Sequence, residues 1–101
     1  MLYEEKEGNW LLDFQRHMEA EEKSSATIEK YERDVRKFLS FQNGREISKT
    51  LTLEYKEHLI QRYAVSSVNS MLASMNSFLR FIRMEQCCVK QLKVQDRKSV
   101  V

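Results

Sequence analysis

Residues 24–44 read SSATIEKYERDVRKFLSFQNG, and this stretch decides the fold. Ile28, Tyr31, Val35, Phe38 and Leu39 recur at three- and four-residue spacing, the period of a helix with one apolar face. Ser24 or Ser25 is the expected N-cap, because a short hydroxyl can accept from an orphan backbone N–H of the first turn. Asn43-Gly44 ends the helix, with glycine suited to a left-handed terminating residue.

The same period extends in both directions. Upstream, Trp10, Leu11, Phe14 and Met18 define a helix expected to start after Asn9 and to run out in Glu21-Glu22-Lys23. Downstream, a third helix capped by Thr50 or Thr52 turns Tyr55, Leu59 and Tyr63 inward, with Leu51 or Leu53 closing its top. A fourth follows Ser66 or Ser67, carries Val68, Leu72, Met75, Phe78, Leu79 and Ile82 on its core stripe, and fades near Glu85. The chain has no proline and two glycines, so no Gly/Pro punctuation of an all-β protein is present. The reading is an all-α four-helix bundle. Residues 1–8 form an N-terminal extension, 9–85 the helical domain, and 86–101 a basic linker or edge strand, with Lys90, Lys93, Arg97 and Lys98.

A chain of 101 residues supports one modest core. Its apolar runs are too short for a membrane span or a signal-peptide core, so no membrane partner is expected. Cys87 and Cys88 are adjacent; they cannot hold a metal alone, they suit a structural disulfide poorly, and a reducing cytoplasm follows. The two histidines, His17 and His58, fall on different helices and form no H-E-x-x-H pattern. No glycine-rich phosphate loop is present. No catalytic residue, metal site or cofactor is expected.

The net charge of +2 is unevenly spread. Residues 1–22 hold seven acidic and two basic side chains, the remainder fifteen basic and eight acidic. Such asymmetry fits a face turned to an anionic partner, and equally a soluble bundle with internal ion pairs. Lys30, Arg33 and Lys37 share one side of the second helix, with Arg36 beside them. They form either a phosphate-facing row or a solvated face paired with Glu29, Glu32 and Asp34. The fourth helix presents Asn69, Ser70, Ser74, Asn76 and Ser77, short polar side chains with lower helix propensity than Glu or Lys. That face suits close approach to a sugar-phosphate backbone or base edges, or serves local capping. Both serine-led helix starts offer N–H groups to a phosphate.

With these residues in view, the chain resembles the N-terminal core-binding, SAM-like domain of tyrosine recombinases, the integrases of phages and conjugative transposons. The similarity rests on Ser24-Ser25-Ala26-Thr27 followed by Tyr31, Val35, Phe38 and Phe41, and on Ser66-Ser67-Val68-Asn69 with Phe78-Leu79-Arg80-Phe81-Ile82. It covers residues 9–85. The resemblance implies a bacterial or phage-encoded, non-catalytic half-clamp on double-stranded DNA, with other recombinase protomers as partners and the chemistry on a separate domain. It assigns DNA contacts to Thr27, Lys30, Arg33 and Lys37 of the second helix and to Ser67, Asn69, Ser70 and Ser74 of the fourth. Ser70 and Met71 stand where many members carry arginines. The competing reading is a helical protein–protein interaction module with Tyr3, Trp10, Met71, Met75 and Met84 as its surface.

Overall fold

The computed structural model describes the backbone of residues 3–93 and the side chains from Trp10 to Lys93. Four α-helices follow one another: α1 (Tyr3–Ala20), α2 (Ser25–Gln42), α3 (Lys49–Ile60) and α4 (Val65–Phe81), then a 3₁₀ turn at Glu85–Cys87. The all-α bundle read from the periodicity is the observed architecture. No strand occurs among the described residues. No helix among them is long and apolar enough to cross a membrane. Residues 94–101, with Arg97 and Lys98 of the expected linker, lie outside the described residues.

Local chemistry explains most helix boundaries. Ser24 caps α2, its hydroxyl accepting from the Thr27 amide at 3.2 Å. Asn43 ends α2 at φ 46°, with Gly44 next at φ 81°, so two successive residues take the left-handed turn. Three other boundaries differ from the sequence reading. Helix α1 begins at Tyr3, so Asn9 lies inside it. Helix α3 is capped by Ser48, which accepts from the Leu51 amide at 3.1 Å. That register sends Leu51, Tyr55 and Leu59 inward and leaves Leu53 exposed. Helix α4 starts from Ala64, with no side-chain cap, and Ser66 and Ser67 lie in its first turn.

Helix α4 is the centre of the bundle. With α1 and α2 it encloses Phe14, Met18, Ile28, Val35 and Phe78. With α3 and the segment after it, α4 encloses a second cluster around Leu51, Tyr55, Leu59, Leu72 and Met75. Trp10 bridges the two, its ring meeting Phe78 edge-on at 5.8 Å. Tyr63, expected inside, is 39% exposed because α3 has already ended and the chain is turning into α4.

The chain does not leave the bundle at residue 86. Cys87 and Val89 are buried in the α3–α4 cluster, and Leu92 packs against it. Two asparagines hold this strap. Asn76 accepts from the Val89 amide at 3.0 Å and donates to the Val89 carbonyl at 2.8 Å. Asn69 does the same at Leu92, at 2.7 and 3.0 Å. Seven helical residues rise about 10 Å and three extended residues about as far, so the two periods match. On the other side, Lys49 and Lys56 donate to the carbonyls of Cys88 and Lys90, and buried Thr52 donates to Cys87. The strap's polar backbone thus finds its partners on side chains.

Candidate nucleic-acid interface

The residues singled out on α2 and α4 separate into two groups. Lys30 points inward. Its ammonium reaches the Asp34 carboxylate, the Ser74 hydroxyl at 3.2 Å and the Ser70 carbonyl at 3.4 Å. The Ser74 hydroxyl in turn donates to Asp34 at 2.7 Å. Asp34 and Ser74 are buried, so this polar cluster joins α2 to α4. A buried carboxylate needs a counter-charge and donors, and Lys30 supplies them.

The outward Ser/Asn face expected on α4 is therefore corrected. Ser74 has no exposure, Ser70 is half-buried under Lys30, and Asn69 and Asn76 are committed to the strap. The physical reason is bulk. A helix covered by α2, α3 and the strap needs short side chains that let backbones approach while satisfying one another's polar groups. Thr27 is half-buried and takes part in the α2 cap, its hydroxyl oxygen accepting from Ser24 at 3.0 Å. Ser67 is the α4 candidate that stays exposed.

Arg33, Arg36 and Lys37 form the second group. All three are exposed, and no carboxylate among the described residues lies within 4.0 Å of their cationic nitrogens. The Lys37 ammonium sits 5.8 Å from the centroid of Tyr63, next to the uncapped start of α4. These cations form one wall of a groove of about 570 Å³ between α2 and α3. The other wall carries Tyr55, His58 and Tyr63, with Phe41 below. Phe41 lies 5.1 Å from both Tyr55 and His58, centroid to centroid, so the rings are continuous. The Tyr55 hydroxyl is buried without a hydrogen-bond partner. Burial first, then the nearby Asp34 and Tyr63, push its pKa far above the ordinary phenol range, so it remains a donor.

A family model, the phage integrase N-terminal SAM-like domain, matches residues 10–87. The chain belongs to this family. No curated protein and no solved structure matches it significantly. The match begins at Trp10 and ends at Cys87, so the family pattern extends past the fourth helix to the first buried residue of the strap. In the sequence Arg36 stands beside the α2 row but outside the expected site, Tyr63 reads as an inward residue of α3, and His58 reads only as a histidine without a metal or catalytic pattern. The groove unites α2 with α3, and residues 18 to 30 positions apart share no local signature. In the integrase domain Met71 and Met75 are buried, so that pair is core and not a docking surface. No group of side chains among the described residues is arranged to hold a metal ion.

Proposed function

We propose that this integrase domain is a half-clamp that grips duplex DNA around the recombination site of a site-specific tyrosine recombinase. Strand cutting belongs to a separate catalytic domain, and neighbouring protomers complete the grip. One observation carries the reading: Arg33, Arg36 and Lys37 are three exposed cations on one helix with no carboxylate within ion-pair distance among the described residues. Solubility alone is served as well by compensated pairs, whereas an unpaired row is suited to phosphates. Ser67 and the uncapped first turn of α4 add hydroxyl and N–H donors at the end of the helix nearest Lys37.

The reading assigns Arg33, Arg36 and Lys37 to phosphates and leaves Lys30 and Ser74 to the fold. Its test is duplex affinity by fluorescence anisotropy over a range of salt. Arg33→Gln and Lys37→Gln should each lower the log–log salt slope by about 0.9 and weaken binding to all sequences alike. Unchanged slopes in both variants, with unchanged melting, would reject α2 as the DNA-facing helix.

A further inference from the structure

We propose that the groove between α2 and α3 continues the α2 cation row into a subsite that seats an unstacked nucleotide of a single DNA strand running on from the duplex. The base lies on the aromatic wall and the phosphate on the α2 cations. The inference rests on the duplex-binding reading for its class of partner, but it adds His58 and Tyr63, which that reading does not use.

Two features converge on this ligand. The first is shape: about 570 Å³ lies within the range of roughly 300–1,000 Å³ typical of sites for small molecules. The second is the lining. Phe41 and His58 are half-buried with ring centroids 5.1 Å apart, and Tyr63 is 39% exposed at the rim. Partly exposed rings beside unpaired cations form the combination that holds single strands, because any base offers a π-face and any nucleotide an anion.

A paired base cannot use such a site. Its faces are covered by neighbouring base pairs and its Watson–Crick edge is occupied, so the groove selects nucleotides that have left the stack. The binding energy gained there would favour DNA with unpaired positions next to a duplex held by the α2 row.

The test compares the full chain on a blunt duplex, on the same duplex with a short thymidine tail, on a thymidine oligonucleotide, and on free dTMP. The tailed duplex should bind about tenfold tighter than the blunt one. His58→Ala should remove most of that difference while leaving blunt-duplex affinity unchanged. Bromodeoxyuridine in the tail should crosslink on irradiation to His58 or Tyr63. Equal affinity for tailed and blunt duplexes overturns the inference and leaves the duplex reading standing. Failure to bind blunt duplex, with groove-dependent binding of the oligonucleotide, rejects the duplex reading and keeps the subsite. Free dTMP binding as tightly as the tail would assign the groove to a free nucleotide, and displacement of the tail by an acidic, tyrosine-rich peptide would assign it to a protein; either overturns the proposal.

Discussion

Replacing Lys30 by methionine separates a structural lysine from a DNA-binding one. The substitution keeps most of the aliphatic stem and removes the ammonium that joins Asp34, Ser74 and the Ser70 carbonyl. The Asp34 side chain is 7% exposed, so after the change its charge keeps the Ser74 hydroxyl and little water. Breaking a fully buried pair costs roughly 3–5 kcal/mol. The Lys30 side chain is 35% exposed, so water replaces part of the ammonium, and about 2–3 kcal/mol is the expected loss. For a domain of this size that is a fall in Tm of about 10–20 °C. In an Asp34→Asn background the same substitution should cost under about 1 kcal/mol, because the charge to be compensated has gone. Urea and thermal unfolding followed by circular dichroism measure both arms, and the salt slope of duplex binding by folded Lys30→Met should match the parent. The reasoning fails if Lys30→Met loses less than about 0.5 kcal/mol while its salt slope drops by about 0.9, since Lys30 would then face phosphate.

Other consequences are equally open to measurement. Asn76→Ala should cost about 1–3 kcal/mol and expose the Val89 amide to rapid hydrogen exchange, because both backbone groups of Val89 lose their partner. Asn69→Ala should do the same at Leu92 without altering any preference among duplex sequences; relaxed sequence preference in a folded protein would count against the strap assignment. Glu22 and Arg83 take left-handed conformations, φ 61° and 65°, at the ends of α1 and α4. Glycine at either position should therefore raise stability by about 1 kcal/mol in urea titrations. Tyr55→Phe should hold or increase stability at neutral pH, since it removes an unsatisfied hydroxyl. The phenol is raised in the folded state, so the parent keeps its full stability below the unfolded phenol pKa of about 10 and loses it as pH rises beyond that value. Tyr55→Phe should lack that component of the alkaline decline.

The helices were legible because their apolar stripes are periodic and self-consistent. Ile28, Val35 and Phe38 on α2, and Val68, Leu72, Met75 and Phe78 on α4, are buried where the spacing places them. Helix starts were less legible, because serine and threonine crowd the starts of α2, α3 and α4 and tertiary packing chooses among them. Ser48 prevails over Thr50 and Thr52 because a helix begun at Lys49 includes Leu51, which joins Tyr55 and Leu59 in one core. Thr52 is instead drawn inside to bond the Cys87 carbonyl.

What the sequence determined unaided was the all-α class, the four apolar stripes, the α2 boundaries and a basic row whose members share a side. Each of these is local, set by residues within two turns of one another. The fate of each polar residue was decided by tertiary structure. Lys30, Arg33 and Lys37 share a side of one helix, yet Lys30 is claimed by Asp34 and Ser74 while the other two remain exposed. Asn69 and Ser67 are two residues apart, yet the amide of Asn69 is committed to a strap 23 residues downstream. A polar side chain can serve solvent, a ligand or a buried partner with the same atoms. Which of these it serves depends on what packs against it, and that is fixed only when distant segments meet.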